Sequence, residues 1–243
     1  MNYRFQCDSW MARAKSVPLV LAIRNCLYNK DPGMLDWLQG LIARCVKLHW
    51  NGLLLPGLLT GSYVMERLER LEILTTRPHL DCRCINIASN ASKLRSVYLS
   101  FPNTYNFHNH LTLPWAQLTS IEMYQLHCTD ILRLFELCTH LEYADFTRPY
   151  GDDELQTIVP GSVVKPSFKL LAIQLWEVCP CRMLFDVLVL PSLEELEVIS
   201  QEYLPWLHTE FTSFLTRSRC PLRRLEVHNN KFATYNITVH CQS

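Results

Sequence analysis

Apolar residues return along this chain in a six-residue frame, apolar-x-x-apolar-x-apolar, with polar residues between them. The clearest copies are Leu68-x-x-Leu71-x-Ile73, Leu94-x-x-Val97-x-Leu99, Leu118-x-x-Ile121-x-Met123 and Leu141-x-x-Ala144-x-Phe146. Further along stand Leu170-x-x-Ile173-x-Leu175, Leu193-x-x-Leu196-x-Val198 and Leu222-x-x-Leu225-x-Val227. Two weaker copies precede them, Pro18-x-x-Leu21-x-Ile23 and Cys45-x-x-Leu48-x-Trp50. First positions lie 23 to 29 residues apart, about 25 on average. The alternating end of each frame is the period of a short strand with one buried face. Between strands, several segments change to a helical period. Asp31-Pro32 opens one, with Leu35, Leu38, Ile42 and Cys45 on a shared face. Thr129 is placed to cap another, over Ile131, Leu134, Phe135 and Cys138. A third runs from Tyr203 to Arg217 and is closed by Cys220-Pro221. Strand, helical return and strand again predict a parallel sheet, since each return is a crossover.

A frame of this kind at this spacing is the mark of leucine-rich repeats. The expected fold class is therefore α/β: a leucine-rich-repeat solenoid, with a parallel sheet on the concave face and helices on the convex face. About nine repeats make a single unit over residues 1–243, with short caps in Met1 to Met11 and Lys231 to Ser243. Two longer intervals, Ser100 to Leu113 and Thr147 to Ser167, lack a helical period and read as loops.

Composition narrows the function. Lysine plus arginine equals aspartate plus glutamate at 23 each, so no net field draws in nucleic acid or an anionic membrane. Seven glycines leave little room for phosphate-cradling loops, and no run approaches the ~20 apolar residues of a bilayer span. The stretch Val17 to Ile23 fits the first strand better than a secretory signal, for want of a small-residue cleavage site. Eleven cysteines, an odd number, are spread through the chain and several stand in apolar slots. They read as free thiols in a reducing compartment, cytoplasmic or nuclear, with Asn90-Ala91-Ser92 and Asn236-Ile237-Thr238 as chance sequons.

Motifs of chemistry are sparse. Cys82-x-Cys84 and Cys179-x-Cys181 follow repeats four apart, ~19 Å at the strand spacing, too far to share a metal. His108-Asn109-His110 lacks a second ligand cluster, and Asp152-Asp153-Glu154 reads as the acidic start of a short helix, without the spaced ligands of a calcium loop. No nucleophile elbow, P-loop or dinucleotide fingerprint occurs. The expectation is a non-enzyme without metal or cofactor.

Candidate site residues come from the strands. The second outward position of each frame forms one column: Ala22, His49, Glu72, Tyr98, Glu122, Asp145, Gln174, Glu197 and Glu226, with Tyr124, Tyr143 and Trp176 flanking it. Five of these nine are acidic, against about one residue in ten along the chain. At ~4.8 Å per strand the column spans roughly 40 Å. Carboxylates with interleaved aromatics fit a protein partner with a basic surface. The competing reading makes them solvated strand residues, some paired with Lys47, Arg70 or Arg224.

Four segments, in order and spacing, resemble the repeat half of the F-box proteins of mushroom-forming fungi. They are Trp10 to Leu19, Leu113 to Thr119, Leu134 to Leu141 (LFELCTHL) and Phe214 to Leu225. In that family the F-box upstream docks on a Skp-type adaptor of a cullin ubiquitin ligase, and the repeats are thought to select the substrate. The resemblance thus implies a substrate-recognition module. Nothing in Met1 to Trp10 resembles the F-box helices, so adaptor docking is not carried over to this chain. A stand-alone repeat scaffold and an enzyme assembled across the concave face are the alternatives that remain.

Overall fold

The computed structural model describes residues 9, 12–14, 17–24, 32–52, 64–74, 85–87, 90–100, 111–151, 161–176, 178–200, 207–229 and 236–240. Its strands, in chain order, are β1 (Leu19–Arg24), β2 (Cys45–Asn51), β3 (Arg70–Leu74), β4 (Ile85–Asn86), β5 (Ser96–Ser100), β6 (Leu111–Thr112) and β7 (Ser120–Tyr124). They continue as β8 (Tyr143–Thr147), β9 (Val163–Val164), β10 (Leu170–Leu175), β11 (Leu188–Val189), β12 (Glu195–Ser200), β13 (Arg224–Asn229) and β14 (Asn236–His240). The main sheet has the order β1-β2-β3-β5-β7-β8-β10-β12-β13-β14. Its first nine strands are parallel, β14 runs antiparallel to β13, and the sheet is open. The pairs β4–β6 and β9–β11 are separate and parallel. The chain is thus α/β with a large parallel sheet.

β14 departs from the all-parallel expectation. Only six residues separate it from β13, too few for the crossover that another parallel strand would need. It lies in the tail expected to serve as a thin cap. The N-terminal cap, apart from Ser9, lies outside the described residues, as do most of the two long loops, His108 to His110, Asp152 to Glu154, and Cys82 and Cys84.

The frames starting at 45, 68, 94, 118, 141 and 193 bury all three apolar positions, none more than 4% exposed. The frame at 170 is corrected. Phe168, Leu171 and Ile173 are the buried set, and Leu170 lies half-buried on the opposite face. A backbone rule fixes the register. From β3 to β13 the residue after the first anchor offers one carbonyl to two amides at the start of the next strand. Glu69 O accepts from Arg95 (2.9 Å) and Ser96 (3.1 Å), and Glu142 O accepts from Lys169 (2.8 Å) and Leu170 (3.0 Å). Lys169 O in turn takes Glu194 (2.8 Å) and Glu195 (3.0 Å), so the anchor before it is Phe168. The run Phe168-Lys169-Leu170-Leu171-Ala172-Ile173-Gln174-Leu175 satisfies the apolar frame at two settings, and only the hydrogen bonds choose between them.

Among the described residues, four α-helices with defined bounds lie between the strands. The described α-helices are α1 (Pro32–Ile42), α2 (Cys128–Leu137), α3 (Val178–Val187) and α4 (His208–Ser218). The described part of the return between β5 and β7 holds β6 and the 3-10 turn Trp115–Gln117, behind Pro114, which cannot continue a helical ladder. His127, not Thr129, caps α2. Its ring nitrogen accepts from the Thr129 amide (3.3 Å) and lies 2.6 Å from the Thr129 hydroxyl. α4 closes on Arg219 in the left-handed region, ahead of Cys220-Pro221 as expected. Among the described residues no helix is long and apolar enough to cross a membrane.

Helices and returns cover one face of the sheet. Phe135 of α2 packs its ring 5.9 Å from Phe146 and 5.5 Å from Phe168, and Phe185 of α3 lies 5.4 Å from Phe214 of α4. Burying such a side chain contributes about 1.5–3 kcal/mol, so these aromatic contacts hold neighbouring returns together. Described returns are also tied to the ones before them: Gln117 Nε2 donates to the carbonyls of Ala91 (2.8 Å) and Leu94 (2.9 Å), and Lys165 Nζ donates to that of Cys138 (3.3 Å). Lys165 occupies the slot that is Met65, Ala91, Trp115, Cys138 and Leu190 elsewhere, three before the anchor, and its burial lowers its pKa. Among the described residues no helix packs on the opposite face of the sheet, and the functional candidates stand there.

Candidate functional site

Parallel pairing without slippage from β2 to β13 turns the outward side chains into three straight rows. The central row is Ala22, His49, Glu72, Tyr98, Glu122, Asp145, Ala172, Glu197 and Glu226. Eight of the nine column positions expected from the sequence stand there. Gln174 does not: the shift of frame puts Ala172 in the column and moves Gln174 one row over, beside Thr147 and Ile199. That third row also holds Tyr124 and His228. The first row carries Lys47, Arg70, Ser96, Ser120, Tyr143, Leu170, Glu195 and Arg224. Trp176 follows the end of β10 and is 42% exposed.

The rows bring charges together unevenly. At one end Glu72 accepts from three sides: Lys47 Nζ at 2.7 Å, His49 Nδ1 at 2.9 Å and Arg70 Nε at 2.6 Å. Arg70 also reaches two strands along to Glu122, with Nη2 at 3.1 Å from Oε1. Burial opposes charge on Glu72, but these donors outweigh it and draw its pKa down to about 2. At the other end Arg224 joins Glu226 (2.7 Å) to Glu195 (3.2 Å), and His228 Nε2 lies 3.4 Å from Glu226. The reading in which the acids pair with Lys47, Arg70 and Arg224 therefore describes Glu72 and Glu226 well.

It does not describe the middle. Among the described residues no lysine or arginine reaches Asp145 or Glu197. Asp145 accepts one hydrogen bond, from the Thr147 hydroxyl at 3.3 Å. Burial, with Glu122 and Glu197 on either side, pushes its carboxyl up to about 6. Burial, with Asp145, Glu122 and Glu197, pushes the Tyr143 phenol up to about 12, and burial with Glu122, Asp145 and Glu72 raises Tyr98 as well. The centre of the face is a patch of negative potential lined by tyrosines.

Arg148, missed in the sequence, stands beside this patch. Its guanidinium carbon lies 3.3 Å from the Trp176 ring centroid and 5.3 Å from that of Tyr124. Arg148 has a φ of 56° and Gln125 has the same value one repeat earlier. Each donates its amide across to the next strand, Gln125 to Thr147 O and Arg148 to Gln174 O, both at 2.8 Å. Shared left-handed geometry at strand ends carries no mark in the residue type, so the sequence could not place Arg148.

Among the described residues one group can offer metal ligands: Glu197, Glu226 and His228, whose donor atoms lie within 4.8 Å of one another. Arg224 already neutralises Glu226 there. The described thiols Cys45 and Cys138 are free and buried, and burial holds them up at about 11 and about 12, far from the thiolate a nucleophile needs. Cys179 and Cys181 lie in α3, with side chains outside the described set. The described face presents a wall of carboxylates and phenols with one stacked guanidinium. No protein-family model matches the chain, and no match is found among the curated proteins.

Proposed function

We propose that this chain is a leucine-rich-repeat solenoid that recognises a protein partner on its open strand face, without catalysis. The observation that carries the reading is the central row itself. Side chains from nine strands stand in register on one face, and among the described residues Asp145 and Glu197 in its middle have no lysine or arginine of their own. A basic protein surface is the complementary occupant. The resemblance of the four segments to the fungal F-box proteins adds the biological setting: the substrate-binding part of a ubiquitin ligase subunit, acting inside the cell.

Affinity purification of the tagged chain from its native extract, with mass spectrometry, tests this reading. The expected result is a reproducible partner with a basic surface, lost from the Glu122→Lys/Asp145→Lys variant while the fold persists. Capture of the same proteins by that variant would reduce the row to solvent-facing residues. A cullin and a Skp-type adaptor among the captured proteins would support the ligase setting. A partner without them would favour a stand-alone scaffold.

A further inference from the structure

Two arginines on this face show how it holds a guanidinium. Arg70 bridges Glu72 and Glu122, central-row acids two strands apart with Tyr98 between them. Arg224 bridges Glu226 and the neighbouring strand's Glu195. Asp145 and Glu197 repeat the first arrangement: central-row acids two strands apart, on β8 and β12, with β10 between. Yet the first-row position that is Arg70 on β3 is Tyr143 on β8, and on β10 it is Leu170. Among the described residues the carboxylate pair is there and its arginine is not.

The intervening residue differs too. Ala172 is the one small side chain in the central row between His49 and Glu226, so the row dips at this point, onto a side chain that its neighbours leave only 8% exposed. Two strand spacings set Asp145 and Glu197 about 9.6 Å apart at the backbone. A guanidinium hydrogen-bonded end-on to two carboxylates spans about 8 Å. Tyr143 and Leu170 edge the dip on one side, Thr147 and Gln174 on the other, giving the flat group a ring and an apolar side chain to lie against.

We propose that this gap docks a basic segment of the partner protein, one arginine of which lies over Ala172 and bridges Asp145 and Glu197. The proposal rests on the recognition reading above and names the contact within it. Charge complementarity commits it to a cation: burial and the flanking acids Glu122 and Glu197 already hold the Asp145 carboxyl up, a cost that an incoming guanidinium relieves. Geometry favours arginine over lysine, whose ammonium is a point charge and cannot span the pair. Arg148 is committed to the rings of Trp176 and Tyr124.

The probe is a fluorescent hexa-arginine peptide, its anisotropy measured on the full chain at pH 7.5 and physiological salt, with hexa-lysine beside it. Expected are saturable binding, at least tenfold weaker in Asp145→Asn/Glu197→Gln, and hexa-lysine at least threefold weaker than hexa-arginine. Glu136→Gln, an exposed helix position, leaves the affinity unchanged. Tyr143→Arg copies the position of Arg70 onto β8. It is expected to raise the melting temperature and to abolish peptide binding, which separates a filled site from an unfolded chain. No binding to the wild-type chain, equal affinity for the Asp145/Glu197 variant, or a lower melting point with binding intact in Tyr143→Arg would each overturn the bridge. The two readings fail differently. A captured partner indifferent to Asp145→Asn/Glu197→Gln sinks the bridge and leaves recognition standing. Hexa-arginine held in the gap while no partner is captured sinks recognition and leaves the bridge.

Discussion

Glu72 and Asp145 stand in one row of one sheet, three strands apart, each half-buried among tyrosines, histidine or charged neighbours. Their carboxyls are displaced in opposite directions, Glu72 down to about 2 and Asp145 up to about 6. Burial disfavours charge at both. The difference is the first row beside them, which supplies Lys47 and Arg70 to Glu72 but Tyr143 and Leu170 to Asp145. In a parallel sheet each row is filled independently of the next, so the same acidic column is structural where a cation stands alongside and unsatisfied where none does. A site in such a face is found by asking where compensation stops. Counting acids does not find it.

Removing Glu72 is expected to break the comparison with the largest effect. Glu72→Gln leaves Lys47 and Arg70 facing a neutral amide and should cost about 1–2 kcal/mol at pH 7, moderated because both cations are about a third exposed and partly screened. The carboxyl's pKa is lower folded than unfolded, so its stabilisation is complete above its ordinary 4.5 and is lost as pH falls from there towards 2. Urea titrations of both proteins across this range should therefore converge near pH 2. A constant gap would assign the loss to packing.

Asp145→Asn should act with the opposite sign. The amide keeps the bond from Thr147 and drops the charge that burial and the two neighbouring acids oppose, so the variant is expected to be about 1 kcal/mol more stable at pH 7. Because the folded pKa is raised, the wild type's deficit is absent below the ordinary 3.8 and develops as pH rises from there through about 6. The two proteins should melt together near pH 3.5 and apart at pH 7. A variant less stable at pH 7 would show that Asp145 is compensated after all. A stabilising mutation at a surface position is what a binding residue gives in the absence of its partner.

How far the sequence shows this follows from which forces leave a mark in it. Burial does, and the apolar frame places eight of nine strands and nearly the whole central row. Hydrogen-bond register leaves a weaker trace. Where Phe168 to Leu175 are apolar at almost every position, two settings serve equally and the amide ladder through Lys169 decides. That one choice hides Ala172 and with it the gap. The helical returns are also only partly legible, since a return need bury only one or two side chains and a turn such as Trp115–Gln117 does so as well as a helix. Ion pairs across strands were readable as candidates, Lys47, Arg70 and Arg224 among them. Which acids they reach depends on side-chain length and rotamer, outside the reach of spacing.

The smallest effect sharpens the comparison most closely. Arg148 is the chain's own cation nearest in sequence to Asp145, and it is held on two rings. An exposed cation–π contact contributes about 0.5–1 kcal/mol, so a double-mutant cycle of Arg148→Ala and Trp176→Ala should return a coupling in that range. Trp176→Ala alone removes the nearer of the two rings and leaves the guanidinium only the Tyr124 ring at 5.3 Å. With Thr147 already bonded to Asp145, the released side chain has a carboxylate within a residue of its own backbone, and the Asp145 pKa, followed by carboxyl carbon NMR, should move down from about 6. The gap would then come to resemble the Glu72 end, with an internal arginine in place of the partner's, and hexa-arginine affinity should fall with it. An unmoved pKa beside an intact coupling energy would mean that the rings position Arg148 without keeping it from the acid, and that the gap stays open by distance.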